Sequence, residues 1–523
     1  MCFCLNTCYS LPLFKGQPLH KVGGLMLKDL STLVTPLKHN GSETQTNPDR
    51  VAQVSKEVPK SLTLYIPENF DLDSLLENNP PNFKYHRECF LYVIHLISDI
   101  PTRRKDIEYD YVPLYSPLLK RRLGNNYRKY LDYLVLNGVL LENSQYMPGK
   151  YSRSFMFHTH YQQKVKPVLI HKYTLIKSIL KFIDFEYNID DDSSNFIEDE
   201  EPLECLFKWY NSNLTIDYKE AIRWLDNEFE KDERNFLVND PIRRYNKRFI
   251  PVSKFHRGQF TPTLDTTAGR LHSSLTQLKK ELRQFIKYDN QTLVSIDIKN
   301  SQPYLSTVLL DINKINQNEI GKRLQAYNPK YKESSKSYLS FLYYVSKIGN
   351  PKTKPKDVGN YIDLVSSGVF YEEFANMLDK RGLIKDELFL TNESSRREYA
   401  KRVTFRTLFS PNRHKIFSEE IKTFNQVFPN VSKVFEFVKS GYKNHNALSC
   451  LLQNFEAKLV LHTACKEISL MFPEAPIFTL HDSIITTERY QNEVQNILNN
   501  VLFEYVGLTP SLSIEIWERA EAA

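Results

Sequence analysis

Three short segments of this chain carry residue types that could do chemistry. In TLVSIDIKNSQPYLSTVLL (292–310) a β-rich apolar run ends at Asp297, and Pro303 suits the first turn of a following helix capped by Asn300 or Ser301. In APIFTLHDSIITTE (475–488) two apolar runs flank His481 and Asp482, the pattern of a β-hairpin with the pair at its tip. In REYAKRVTFRTLF (397–409) every fourth residue stands out: Arg397, Lys401, Phe405 and Phe409. Steps of four drift only about 40° each along a helix, so these four share one slowly winding edge. Two cations followed by two flat rings match a triphosphate tail and a nucleoside head.

Each segment alone has a plainer reading: a helix-capping aspartate, a polar turn pair, and a half-buried helix with Phe in the core and cations reaching to water. Together they point to phosphoryl transfer. Two strand-end carboxylates suit hard divalent ions, two Mg²⁺ with Mn²⁺ able to substitute, which activate a 3′-hydroxyl and steady a leaving pyrophosphate. No GxxxxGK[ST] occurs, which leaves a P-loop NTPase unsupported.

The elements that must position these residues belong to a chain of 523 residues, too long for one compact core. Hydrophobic residues make up 41% and charged residues 25%, ordinary for a globular protein. The net charge is +7, yet residues 184–204 hold ten acids and no Lys or Arg, so the remainder is distinctly basic and suits a polyanionic partner. Seven loosely spaced cysteines argue for a reducing compartment, and the N-terminal trio Cys2, Cys4 and Cys8 has no second ligand pair to complete a metal site. Neither a signal peptide nor a stretch of ~18 apolar residues is present, so a cytoplasmic protein of a bacterial or other host, without membrane contact, is expected.

Four regions follow. Residues 1–60 read as poorly ordered. Residues 61–165 read as a winged-helix-like module: helices, Gly138 as a helix stop, then two strands around QYMPGK, made basic by Lys120, Arg121, Arg122, Arg128 and Lys129. Such a module could take origin DNA or a protein partner. Residues 166–262 read as a linker and thumb-like helical region, and within it 241–262 interleaves six Lys/Arg with Tyr245, Phe249, Phe255 and Phe260. That stretch suits nucleic acid, or else a solvated hairpin with buried rings. Asp184 and Glu186 form a D-x-E with no convincing partner carboxylates downstream, and a solvated acidic face is the better reading. Residues 263–523 hold the three segments above.

At this point the residues resemble a known family. RxxxKxxxFxxxF is similar to motif B of family A (Pol I-like) DNA polymerases, on the fingers helix called O; SIDIKNSQ resembles motif A and LHDS motif C. TTAGRLHSSL (266–275), ELRQFI (281–286) and LLQNFEAKLVL (451–461) resemble the segments that accompany them, and all six follow the family's order over about 260–523. The resemblance implies an α+β fold with a right-hand palm and fingers in the C-terminal half. It implies Asp297 and Asp482 as metal ligands and, with Lys401, as catalytic residues. Arg397, Lys401, Phe405, Phe409 and Gln302 would form the nucleotide site, and Arg270, Gln453 and His481 would touch the primer–template.

The departures bear on sugar choice. Gln302 stands where these DNA polymerases usually carry a Glu that blocks the ribose 2′-hydroxyl, and Phe409 replaces the usual Tyr. The HDS motif is that of the related phage-type RNA polymerases. Ser410 replaces a Gly, Pro303 is foreign to both groups, and the spacer 303–396 is long, with a basic insertion, GNPKTKPKDVGN (349–360). The expectation is a template-directed DNA polymerase without a proofreading exonuclease, taking dNTPs and DNA primer–template and suited to phage or mobile-element replication. A single-subunit RNA polymerase or primase, and a non-catalytic replication initiator on a polymerase fold, are the alternatives.

Overall fold

The computed structural model describes residues 58–103, 111–143, 152–187, 203–260, 262–265, 268–317, 319–332, 335–385, 392–441 and 444–518. Residues Lys60–Ala523 form one compact unit. The cysteine trio, most of the 1–60 segment, the QYMPGK turn, Thr266 and Thr267, and nearly all of the acidic run lie outside the described residues, as do the side chains of Asp184 and Glu186. Helices and strands are mixed along the chain, and every strand pair among the described residues is antiparallel.

The described chain opens with β1 (Leu62–Pro67). The Arg87–Arg103 helix follows, then β2 (Val112–Pro113), the helices Ser116–Leu123 and Tyr127–Leu136, β3 (Leu140–Glu142) and β4 (Ser154–Phe157). These strands form a small sheet in the order β2-β4-β3, and β5 (Val165–Ile170) returns to pair with β1, Ile170 opposite Leu62. Gly138, at φ +66°, lets the chain leave the second helix, as its position after the apolar run predicts. Of the five basic residues in this region, Arg128 is tied to Glu142 at 2.7 Å and to Asp132 at 2.6 Å, and Arg122 donates to the Tyr92 hydroxyl.

Next come β6 (Leu214–Ile216) and two helices, Tyr218–Arg234 and Pro241–His256, packed on one another. The second helix holds the interleaved basic and aromatic stretch. Tyr245, Phe249 and Phe255 are buried, Arg244 and Arg248 face Asp232, and Phe260 is half-buried. The rings serve a core on one face of a helix; they are not a stacking surface for bases, and the element is not a hairpin.

The short strands β7 (Thr263–Leu264) and β8 (Leu271–His272) pair next, followed by β9 (Ile286–Tyr288) and β10 (Gln291–Ile298). Asp289 and Asn290, both left-handed, make the tight turn between β9 and β10. After a long helical excursion the chain returns as β11 (Phe478–Leu480), β12 (Ser483–Thr487) and β13 (Leu512–Ile516). The main sheet runs β11-β12-β10-β9-β6, with β13 on the other flank of β10. β10 is therefore central. Ile296 and Ile298 enter one hydrophobic core with the helices, and Leu293 enters a second core with Phe478, Leu480 and Trp517. Burial on both faces explains why its apolar run is nearly continuous. No described helix is long and apolar enough to cross a membrane.

Candidate active site

Asp297 is the penultimate residue of β10 and lies opposite Ser483 on one neighbour and Ser513 on the other. The β11–β12 hairpin has a two-residue tip, His481–Asp482, because Leu480 pairs with Ser483. His481 adopts the left-handed conformation, φ +56°. That turn breaks the alternation of the strand just before Asp482, whose carbonyl accepts from the Ile298 amide at 3.3 Å. The two aspartates thus come from adjacent strand ends, each fixed by backbone pairing.

Their electrostatics follow from that placement. Burial pushes the Asp297 carboxyl up to about 6, with Lys401 acting against the shift and Glu456 and Glu515 adding to it. Burial also drives Asp482 well above the usual carboxylate range; the charges of Asp297 and Glu456 add to this, while Lys401 and Arg270 oppose it. Asp297, Asp482 and Lys401 therefore share one electrostatic neighbourhood, although 185 residues separate the aspartates (482 − 297).

Lys401 lies on the helix Glu393–Phe409, which starts at Asn392, whose side chain accepts from the Ser394 amide, and stops at Ser410 before Pro411. Ala400, Val403, Thr404, Thr407 and Leu408 form its buried stripe. The edge beside that stripe is half-buried and carries Arg397, Lys401, Phe405 and Phe409. Phe405 and Phe409 stack on each other at 5.5 Å between centroids, and Lys401 lies 5.8 Å from the Phe405 ring. Arg397 is engaged elsewhere: its Nε donates to Glu372 at 2.7 Å, and its guanidinium lies over Tyr371 at 5.2 Å. Shortly before Tyr371 and Glu372, Gly368, at φ +81°, packs closely on Ser511 and Lys299. A Cβ there would stand 2.6 Å from the Ser511 hydroxyl. Tyr371 is buried, which holds its phenol well above the usual range, and Arg397 and Asp482 both lie within its electrostatic reach.

Behind the aspartates stands Glu456, 1% exposed, on the helix Ala447–Ala457, which continues through a wider turn at Lys458–Ala464. Arg270 Nη2 donates to its Oε1 at 2.5 Å. Its Oε2 accepts from the Ser301 hydroxyl at 3.0 Å and from Gln302 Nε2. A buried carboxylate needs such partners. The reading of the sequence missed Glu456, and the signal was a lone acid between Phe455 and Ala457 on an otherwise apolar helix. Arg270 is itself held in a tight turn, where Asp265 accepts from the amides of Ala268 at 2.7 Å and Arg270 at 3.2 Å.

The remaining candidates fall around this node. Gln302 is buried, and its Oε1 has no hydrogen-bond partner among the described residues. Asn300 takes the N-cap position in a left-handed conformation, but its side chain makes no capping bond, and both of its amide atoms are buried without a partner among the described residues. Gln453 is half-buried on the Glu456 helix. His481 lies edge-on to His272 at 5.9 Å, and burial, reinforced by Arg270, His272 and Arg283, lowers its pKa to about 3, so the ring is neutral at physiological pH. No group of three or more His, Cys, Asp or Glu could hold a metal ion among the described residues. Asp297 and Asp482 remain as a pair of carboxylates, since Glu456 is already engaged by three protein donors.

No family model matches the chain, and no curated protein matches it. Among solved structures it is weakly similar to the POL domain of Pol1 from M. smegmatis, in complex with DNA primer-template and dNTP. The sequences are 13% identical, the match covers 66% of this chain and 73% of that one, and the TM-score is 0.29.

Proposed function

We propose that this protein is a template-directed DNA polymerase of the family A type, transferring nucleotides from dNTPs to a 3′-hydroxyl on DNA primer–template. The observation that carries this reading is the meeting of Asp297 and Asp482 at adjacent strand ends, in electrostatic reach of Lys401. The order of the six family-like segments along 260–523 supports it independently of that geometry.

The donor set fits a divalent cation. Two hard carboxylates, held away from water and pushed towards protonation by neighbouring negative charge, are relieved when a cation binds. Asp297 and Asp482 would hold Mg²⁺, with Mn²⁺ as a substitute. When bound, a pair of such ions lowers the pKa of the attacking hydroxyl and neutralises charge on the leaving pyrophosphate.

The protein's own residues do the rest. Lys401 sets a compact positive charge beside the carboxylates, where the phosphates of a nucleotide would lie. Arg397 adds a second cation one turn away once it leaves Glu372. Phe405 and Phe409 offer a flat apolar wall to sugar and base. Gln302, held in one orientation by Glu456, fills the space beside the sugar and limits room for a 2′-hydroxyl. Arg270, Gln453 and His481 lie towards the primer–template side, and neutral His481 can accept or donate a single hydrogen bond there. The winged-helix reading of 61–165 belongs to the same proposal, as a second contact for DNA or for a partner protein.

Primer extension tests the function. Wild type is expected to extend a DNA primer with dNTPs and Mg²⁺, and Asp297→Ala and Asp482→Ala to lose extension by at least a thousandfold. Efficient extension with NTPs alone would replace the DNA assignment with RNA synthesis; DNA binding without extension in wild type, unchanged in both variants, would leave a non-catalytic DNA-binding protein.

A further inference from the structure

The basic insertion 349–360 has no role in the site described above. It joins the helix Lys336–Gly349 to the helix Lys356–Ser366. The first helix buries Phe341, Val345 and Ile348. Its opposite stripe is Lys336, Leu339, Tyr343 and Lys347, which fall within about 80° of one another at 100° per residue. All four are exposed, Leu339 by 55% and Tyr343 by 72%. Lys352, Lys354 and Lys356 extend the exposed line beyond the helix end.

Three features distinguish this strip from an ordinary solvated face. First, residues 336–360 contain five lysines and one acid, Asp357. That carboxylate is committed, accepting from the amide of Asn430 at 2.8 Å and from its side chain at 2.8 Å. None of the five lysines makes an ion pair among the described residues. Second, the strip is braced. Asn430 also accepts from the Tyr344 hydroxyl at 2.9 Å, so one residue ties both helices. Gly349 lies so close to the segment after the Asp297 strand that a Cβ would stand 2.8 Å from the Leu310 carbonyl oxygen. Third, Lys356 opens a helix, where the helix dipole disfavours a cation, so local stability does not account for it.

We infer that this strip binds a single-stranded segment of nucleic acid, with the lysines on phosphates and Tyr343 beneath a base; on the polymerase reading that strand is the uncopied template. Lysines without ion pairs among the described residues, set in one line, match the charge of a phosphate backbone, and an exposed ring between them can stack where bases are unstacked. A duplex satisfies the lysines and leaves Tyr343 and Leu339 in water. The inference rests on the polymerase reading for the identity of the strand.

The test is fluorescence anisotropy of the full chain with a labelled twenty-residue oligo-dT and with a duplex of the same length. Lys352→Glu/Lys354→Glu/Lys356→Glu is expected to weaken oligo-dT binding at least tenfold at moderate salt and to flatten its salt dependence by about two units of log–log slope. Tyr343→Ala is expected to weaken oligo-dT binding about tenfold and duplex binding far less. Unchanged thermal midpoints would exclude misfolding, since all four side chains are exposed. Oligo-dT binding that survives the triple variant overturns the inference, as does a Tyr343→Ala effect equal on duplex and single strand, which would mark a plain electrostatic face. A wild type that binds neither probe also overturns it and leaves the strip for an acidic protein surface. Wild-type primer extension, scored separately, distinguishes the two readings. Extension with no loss of oligo-dT binding in the variants sinks the strip alone. Loss of binding in a chain that extends nothing sinks the polymerase reading and leaves the strip.

Discussion

Arg270 and Glu456 lie 186 residues apart and meet at 2.5 Å, an ion pair with Arg270 14% and Glu456 1% exposed. A pair this buried is costly to break from one side, because the survivor keeps its desolvation penalty without its partner. Glu456→Ala is expected to destabilise the protein by about 3–5 kcal/mol, read as a fall of several degrees in the thermal midpoint. Arg270→Met/Glu456→Met removes both charges and is expected to cost less than the two single changes added together. Additive losses would show that the contact has no energetic weight.

The two aspartates predict the opposite sign. Both carboxyls are raised in the folded protein, Asp297 to about 6 and Asp482 further still. Well below about pH 4 folded and unfolded states are both protonated and the groups contribute nothing. As pH rises through the window above that, the unfolded chain releases its protons first, so stability falls until the folded carboxyls ionise. Without divalent ions at neutral pH, Asp482→Asn is therefore expected to raise the thermal midpoint while abolishing activity. The gain should shrink towards pH 4 and when Mg²⁺ is added to wild type. A lower midpoint for Asp482→Asn at pH 7.5 in chelator would contradict the electrostatic picture.

What was legible in the sequence was what local patterning controls. β10 and the hairpin follow from apolar runs, and the helix Glu393–Phe409 follows from Asn392 before it and Pro411 after it. Long-range partners were not legible. Nothing near Glu456 in the chain names Arg270 or Gln302, and nothing near Arg397 names Glu372. Tyr245 and Phe249 show the converse: their spacing of four is that of one helix face, but cations interleaved with rings look alike on a buried helix and on a stacking surface until the core is seen.

Arg397 has a specific competitor. Its guanidinium is held by Glu372 at a half-exposed position, so engaging a nucleotide requires that bond to break. Exposed pairs of this kind are worth roughly 0–1 kcal/mol. On the proposed function, Glu372→Gln is expected to lower KM for dNTP by about two- to fivefold with kcat little changed, and the effect should fade at high salt. Steady-state kinetics at two ionic strengths check this. A raised KM would mean that Glu372 orients Arg397 for the substrate instead of restraining it.

On the proposed function a Glu is expected where Gln302 stands, and Glu456 gives a physical reason for the amide. Gln302 Nε2 donates to Glu456 Oε2, and a carboxylate in its place would face another carboxylate in a buried setting. The amide of Gln302 is compatible with this node because Glu456 already supplies the negative charge. Gln302→Glu is accordingly expected to be strongly destabilising and to depress primer extension. Gln302→Glu/Glu456→Gln moves the single charge to position 302, keeps one donor and one acceptor across the contact, and should recover most of both. The double variant also leaves Arg270 without its ionised partner, so it should keep a residual deficit in stability that Gln302→Glu/Glu456→Gln/Arg270→Met reduces. Thermal midpoints of the three variants and their dNTP-over-NTP discrimination provide the measurement. If Gln302→Glu is tolerated as well as the charge-exchanged pair, the two side chains do not share a proton-donor geometry, and Gln302 is chosen for bulk alone.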